Sequence, residues 1–360
     1  MKITSIQVLR GIAALAVAFL HFAGLQKEES IRDVLAWQAY GWMGVDMFFI
    51  ISGFIMVWVT VNIRGGTKTA SQFIVMRIVR IYPLWFVCMT LVGIFFYIGN
   101  DVPVSIYEIP KEEAWSYFFR SFFLVPQDMK PLIGVGWTLI HEMFFYLVFA
   151  ILLALGLRVK IFTSILIWAL VTALGLYMDW NQLSPVLNVI FNQLSFLFMA
   201  GMVSALLVLR QGKPALASIA LFLGLLSFGA LFLTDFNLRE NRVLYLILPF
   251  SLIVYGLVSR EKIIGRATPI ILSWLGDISY SIYLTHFLVI IGWRTFLKPF
   301  YKGGLLHGYL PSNVAIFMDT ICLLLATLIT ASVFYYTIER PTLKFMRSRL
   351  IGYRLNALKV

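Results

Sequence analysis

Charge is scarce in this chain. Of its 360 residues only 13% are Asp, Glu, Lys or Arg, against about 25% in soluble domains. Together with 61% hydrophobic residues and a mean hydropathy of +0.89, that scarcity excludes an ordinary water-soluble fold and points to one integral membrane domain. Cysteine is rarer still. Cys88 and Cys322 each lie in an apolar run with no partner at metal-ligand spacing, which argues against a structural disulfide or a zinc site and predicts two buried thiols. No repeat with a period of roughly 20–50 residues and no low-complexity segment is evident, so a solenoid is not expected. Lys2 precedes an apolar run as in a signal peptide, but no small-x-small cleavage site follows, so the run reads as an uncleaved first span. Acidic residues are outnumbered, 17 against 29 basic ones, for a net charge of +12. In a membrane protein the positive-inside rule accounts for that excess first, and no nucleic-acid-binding motif accompanies it.

What is present is a series of apolar stretches long enough to cross about 30 Å of hydrocarbon. About ten are expected, near 8–25, 42–62, 79–98, 132–155, 161–178, 188–209, 214–233, 243–258, 273–293 and 313–337. The predicted fold is an all-α integral membrane bundle with both termini cytoplasmic, a membrane domain over 1–345 and a basic tail over 346–360. Connectors on one side hold Arg64, Lys68, Arg77, Arg80, Arg158, Lys160, Arg210, Lys213, Arg260, Lys262 and Arg266, and the tail adds Arg340, Lys344, Arg347, Arg349, Arg354 and Lys359. The alternate connectors collect Glu28, Glu29, Asp33, Asp101, Glu108, Glu112, Glu113, Asp128, Asp179, Asp235 and Glu240. The alternation supports an N-in, C-in arrangement; Arg294, Lys298 and Lys302 in the last outer loop run against it. The outer connector 99–131 carries Trp115, Tyr117, Phe118, Phe119, Phe122 and Phe123, a pattern that suits an interfacial or re-entrant helix, anchored at headgroups or covering a substrate cleft.

Ionisable residues inside the apolar segments are the functional candidates, because each costs free energy in hydrocarbon unless it faces the protein interior or a polar cavity. Arg10 and His21 share the first segment, VLRGIAALAVAFLHFAG. Eleven residues on, a helix has climbed roughly 16 Å and returned almost to its starting angle. One face therefore carries both, with Ala14, Val17 and Ala18 between them, and that face could border a groove. Arg77 and Arg80, in RIVRIYP, also share a face, with Pro83 marking the start of the next span. Two guanidinium forks suit a phosphate or carboxylate, although topology charge alone would also place them there.

His21 suits a general base, since imidazole titrates near neutrality, or a histidine hydrogen-bonded between helices. Asp46, in GWMGVDMFFIISGF, could hold the imidazole tautomer, pair with Arg10 or cap a helix, and Gly44 and Gly53 would permit close helix approach. In GWTLIHEMFFYL the second histidine of H-E-x-x-H is replaced by Phe145, so metal catalysis is disfavoured. His141 and Glu142 diverge by 100°, so one of them is expected to face a site. In GDISYSIYLTH, Ser279 and His286 share a face and Asp277 points oppositely, which helix-to-helix hydrogen bonding could also explain. Asp319 and His307 receive no role.

The order and spacing of these segments resemble the bacterial acyltransferase-3 family, membrane enzymes that acylate surface carbohydrates, and most of all its ExoZ-type exopolysaccharide acetyltransferases. The resemblance rests on SIQVLRGIAALAVAFLHF, GVDMFFIISGFIM, FIVMRIVRIYPLW, WTLIHEMFFY, LGDISYSIYLTH and the ERP at Glu339 to Pro341. It implies a bacterial cytoplasmic (inner) membrane enzyme taking acetyl from acetyl-CoA, without a metal, to a hydroxyl of a lipid-linked or growing polysaccharide. By position it makes Arg10 and His21 the signature pair, Arg77 and Arg80 the RxxR element, and Asp46 and Glu142 the acidic site residues. His21, Asp46 and Glu142 are thus the catalytic candidates; Arg10, Arg77 and Arg80 are the donor-binding ones. No esterase-like domain follows the last span, so the membrane domain is expected to complete transfer or to hand the acyl group to a polysaccharide-assembly partner. A transporter or flippase of an anionic or glycan substrate is the competing reading, since intramembrane Arg, His, Asp and Glu suit it equally.

Overall fold

The computed structural model describes residues 3–23, 40–61, 63, 65–99, 113–156, 160–210, 214–233, 240–293 and 312–350. Of the positions named above, Lys2, Glu28, Glu29, Asp33, Arg64, Asp101, Glu108, Glu112, Arg158, Lys213, Asp235, Arg294, Lys298, Lys302, His307, Arg354 and Lys359 lie outside the described residues.

Every element among the described residues is helical, as expected where a backbone in hydrocarbon must satisfy its own hydrogen bonds. Besides two short 3-10 turns, Trp180–Gln182 and Leu231–Leu233, these are in chain order α1 (Thr4–Ala23), α2 (Met43–Thr60), α3 (Thr67–Gly99), α4 (Ala114–Phe122), α5 (Gly136–Ala154), α6 (Ile161–Tyr177), α7 (Pro185–Ile190), α8 (Leu194–Leu209), α9 (Pro214–Ala230) and α10 (Arg242–Ser259). They continue as α11 (Glu261–Ala267), α12 (Ile270–Asp277), α13 (Ser279–Gly292), α14 (Ser312–Phe334), a π-helical turn (Tyr335–Glu339) and α15 (Arg340–Leu350). Among the described residues eight helices are long and apolar enough to cross a membrane, and nine if α12 and α13, bent by 67°, make one span. Among the described residues the count by that measure is eight or nine rather than about ten: the segment expected at 161–178 is the 17-residue α6, an apolar helix shorter than a full crossing.

Two boundaries differ from the sequence reading. Pro83 does not mark a span start, because α3 is one 33-residue helix that runs through it and carries Arg77 and Arg80 in its interior. Proline removes one backbone donor; here Ile81, Leu84, Trp85 and Cys88 around it are all buried, and their packing offsets that loss. At the other end of the chain, the last span, expected at 313–337, does not stop there: α14 widens into the π-turn and continues as α15. Cys88 is buried as expected, but Cys322 is exposed on α14.

The centre of the bundle is made by backbones in near contact. Gly53 of α2 faces the carbonyl of Phe198 and Gly201 of α8 faces that of Ile50, so a Cβ at either would collide with main chain. Around this crossing Phe145 lies 4.8 Å from Phe198 and 5.5 Å from Phe49, centroid to centroid. Helix α1 is wedged against α2, α12 and α13. Its start is held by Glu261 of α11, which accepts from the Thr4 and Ser5 amides and from Ser5 Oγ at 2.5 Å. By contrast α6, α9 and α14 present large apolar side chains outward, among them Leu170, Phe222 and Ile329, as a lipid-facing surface does.

The small face of α1 is not an open groove. Ala14 packs with Ile278, Ile282 and Ala331, and Ala18 with Phe22, Ile290 and Leu323, all of them buried. Small residues there let α13 and α14 close on α1 instead of leaving space beside it. The aromatic connector forms α4, whose Phe122 stacks on Phe86 of α3 at 4.6 Å while Trp115 and Phe119 stay exposed. Trp85 Nε1 donates to the Phe122 carbonyl at 2.9 Å, fixing α4 to α3.

Candidate active site

Arg10, Arg77, Arg80 and Glu142, expected from separate segments, line one cavity of about 1080 Å³ of empty space, open mouth included. Helix α1 supplies Arg10, α3 both other cations, α5 Glu142 and Tyr146, α2 Ser52, and α13 Tyr280 and Tyr283. The arginines are held in three ways. Arg10 Nη1 donates to Gln7 Oε1, one turn earlier on α1, at 3.4 Å. Arg77 lies over the rings of Phe73 and Tyr146, at 5.2 and 5.5 Å, and its Nε has no hydrogen-bond partner. Arg80 lies over Tyr280 at 5.9 Å and 3.6 Å from Glu339 Oε1. Glu339 Oε2 accepts from Ser281 Oγ at 2.7 Å, so the carboxylate sits behind Arg80 rather than among the residues facing the cavity.

Glu142 is the carboxylate that lines the cavity. It accepts from Ser52 Oγ at 3.1 Å and from the Tyr146 hydroxyl. Three guanidinium groups against one facing carboxylate leave an excess of positive charge, an environment suited to a multiply charged anion. His141, next to Glu142 in sequence, does not line the cavity; its buried ring contacts Trp137 and Phe145.

His21 lies elsewhere, five turns from the start of α1. Its Nδ1 is 2.9 Å from the Val17 carbonyl and 3.2 Å from Nε2 of His286, which is fully buried on α13. His286 Nδ1 in turn is 3.0 Å from the Ile282 carbonyl. Tyr283 links this pair to the cavity. Its ring is 6.1 Å from that of His286, and its hydroxyl contacts Thr138 Oγ1 at 2.6 Å and donates to the Val135 carbonyl at 3.2 Å. Tyr283 and Thr138 both line the cavity, so Tyr283 touches both the cationic chamber and the histidine pair.

The orienting contact expected between Asp46 and His21 is not found. Asp46 is fully buried on α2, its Oδ1 lies 3.6 Å from Arg242 Nε at the start of α10, and neither oxygen accepts a hydrogen bond. The Arg242 guanidinium is also 6.0 Å from the Trp42 ring centroid and 5.8 Å from that of Trp137. The position Asp46 was expected to fill at Nδ1 is taken by a carbonyl and by a second imidazole.

Sequence reasoning missed Tyr146, Ser52, Arg242 and the pairing role of Glu339. Tyr146 follows Glu142 by four residues, a spacing that puts both on one helix face, so a local signal existed. The others are brought in by helices distant in sequence.

Comparison with known proteins finds related sequences over nearly the whole chain. The family model described as an acyltransferase domain, of the acyltransferase-3 type, matches residues 3–336. The exopolysaccharide production protein ExoZ of Rhizobium meliloti is 31% identical over 329 residues, covering 86% of this chain and 92% of its own. A protein of Staphylococcus aureus strain COL named as an O-acetyltransferase is 25% identical over 372 residues, covering 92% of this chain, which spans 56% of that longer protein. No solved structure matches.

Proposed function

Because the chain belongs to the acyltransferase-3 family and is an acyltransferase, we propose that it moves an acetyl group from acetyl-CoA to a hydroxyl of an exported polysaccharide or its lipid-linked precursor. The observation that carries this reading is the convergence of Arg10, Arg77 and Arg80 on one cavity whose far wall, Tyr283, abuts the His21–His286 pair. Coenzyme A has phosphates at one end and a thioester at the end of a long arm. A cluster of guanidinium forks at one level and an imidazole several turns away suit those two ends. The alternation of basic and acidic connectors supports an arrangement with both termini cytoplasmic, so that the donor enters from the cytoplasm, and membership of the family supports a bacterial inner membrane.

In this assignment Arg77 and Arg80 grip phosphate, and Arg10 steadies the donor arm. Glu142 holds Ser52 and Tyr146 and balances the cavity's charge. His21 takes the proton of the acceptor hydroxyl as its oxygen bonds to the thioester carbonyl carbon. The C–S bond then breaks, and the departing thiolate receives that proton from the imidazolium, giving the ester and free coenzyme A. Asp46, tied to Arg242 beside Trp42 and Trp137, secures the end of the bundle where α2, α5 and α10 begin.

Two measurements test the reading. The purified protein in lipid nanodiscs is expected to bind acetyl-CoA, and Arg77→Ala with Arg80→Ala to weaken binding at least tenfold; unchanged affinity removes those arginines from the donor site. Mass spectrometry of exopolysaccharide from cells carrying His21→Ala, at matched membrane expression, is expected to find no O-acetyl groups, and their persistence would sink the assignment of His21.

A further inference from the structure

We infer that His286 fixes the tautomer of His21, so that Nε2 of His21 is the nitrogen that accepts the proton. The inference rests on the proposed role of His21 and goes beyond it by assigning a positioning residue and a reacting atom.

The argument is one of donors and acceptors. A carbonyl oxygen can only accept, so His286 Nδ1, 3.0 Å from the Ile282 carbonyl, carries a proton. A neutral imidazole protonated at Nδ1 has its lone pair at Nε2. That lone pair faces His21 Nδ1 at 3.2 Å. His21 Nδ1 is also 2.9 Å from the Val17 carbonyl, a second acceptor-only atom. Both neighbours therefore require the same thing of His21: a proton on Nδ1, shared between an oxygen and a nitrogen. In neutral His21 this leaves Nε2 as the lone pair. Two carbonyls set the direction of donation, from His21 on α1 through His286 to the Ile282 carbonyl on α13, and no alternative neutral tautomer satisfies all three contacts.

The rings are fitted for this. Their centroids are 5.1 Å apart with planes inclined by 33°, and Phe287 meets His21 edge-on at 6.5 Å. His286 is fully buried, whereas His21 is partly exposed, so the reacting ring has access and its partner has none. Asp46 does not share in this contact, being engaged with Arg242. His286 thus takes the place that a carboxylate holds in a Ser-His-Asp triad, as a neutral acceptor. When His21 Nε2 takes a proton from the acceptor hydroxyl, Nδ1–H stays with its two acceptors and the imidazolium forms without the ring turning. The proton leaves again from Nε2 to the coenzyme A thiolate, which restores the starting tautomer.

The test uses the full-length protein in nanodiscs, with acetyl-CoA as donor and exopolysaccharide of the expressing host as acceptor. Nitrogen-15 spectra of histidine-labelled protein, with the His21 signals assigned by their loss in His21→Gln, are expected to show Nδ1 protonated and Nε2 unprotonated. His286→Gln, whose amide oxygen can accept where Nε2 does, is expected to keep that pattern and to retain kcat within tenfold. His286→Phe, which keeps the ring and loses the acceptor, is expected to lower kcat by about 10²-fold with KM for acetyl-CoA unchanged. Protonation of His21 at Nε2 in the native protein, or equal kcat for the Gln and Phe variants, would overturn the inference while a dead His21→Gln still upheld His21 as the base. Full activity of His21→Gln would instead remove the base itself, and with it any positioning role for His286.

Discussion

The guanidinium of Arg80 and the carboxylate of Glu339 stand 3.6 Å apart, with Glu339 almost wholly buried and Arg80 reaching the cavity beyond it. Removing the carboxylate's charge takes away the ion-pair partner of Arg80 and leaves that cation to Glu142 across the cavity and to what binds there. Glu339→Gln is therefore expected to lower the melting temperature of the detergent-solubilised protein, as removal of one partner of a largely buried pair does. Saturating acetyl-CoA should then raise that temperature more in the variant than in the native protein, because phosphate supplies the missing anion. Equal ligand-induced shifts would show that Arg80 does not meet the donor.

Arg77 is stacked as well as charged, lying over two aromatic rings. Lysine keeps the charge but loses the planar fork and most of the stacking. Arg77→Lys is expected to raise KM for acetyl-CoA by roughly tenfold, about 1.4 kcal/mol, with kcat little changed. Steady-state kinetics check this, and a native KM contradicts it.

Asp46 and Arg242 are predicted to couple with each other and not with His21. Asp46→Asn leaves Arg242 without its counter-ion at 3.6 Å and should destabilise the protein. Adding Arg242→Gln should recover part of that loss, giving a coupling of about 1 kcal/mol or more in a double-mutant cycle. Strictly additive changes in unfolding free energy would deny the pair.

Gly201 meets the Ile50 carbonyl where α2 and α8 cross. A methyl group there cannot be absorbed by a side-chain rotation, since the atom in its way is main chain. Gly201→Ala is expected to destabilise by more than about 2 kcal/mol and to reduce the monodisperse fraction in size-exclusion chromatography. A native-like profile and melting temperature would mean that the crossing is wider than described.

Helix α6 offers a test of topology, since Lys160 and Asp179 flank its two ends. In a background with both native cysteines replaced, Asp179→Cys should react with an impermeant maleimide in intact spheroplasts and Lys160→Cys only after lysis. Equal labelling of the two would place both ends on one side and make α6 a helix that does not cross.

What could be read from the chain follows the range of the interactions involved. Arg10 within an apolar run and the three-residue spacing of Arg77 and Arg80 are local features, and all three lie on the cavity. Partner choice across helices is not local: His21 meets a residue 265 positions away, and Glu339 meets Arg80 through a π-turn that no short pattern announced. A buried carboxylate pairs with whichever cation the packing delivers, and for Asp46 that was the first residue of α10. The small face of α1 misled for a physical reason. Alanines beside a charge serve a groove and a close helix contact equally well, and only the position of α13 distinguishes them.

That filled face has a further consequence. With Ala14 and Ala18 clamped by α13 and α14, α1 cannot shorten or tilt independently, so the distance from Arg10 to His21 is that of a rigid rod, roughly 16 Å by helix rise. On the proposed reading the enzyme carries its own ruler. Arg10, which steadies the donor's arm, and His21, which meets its acyl end, stay one fixed span apart, and a donor such as acetyl phosphate, which has no arm between phosphate and acyl group, is too short to touch both marks.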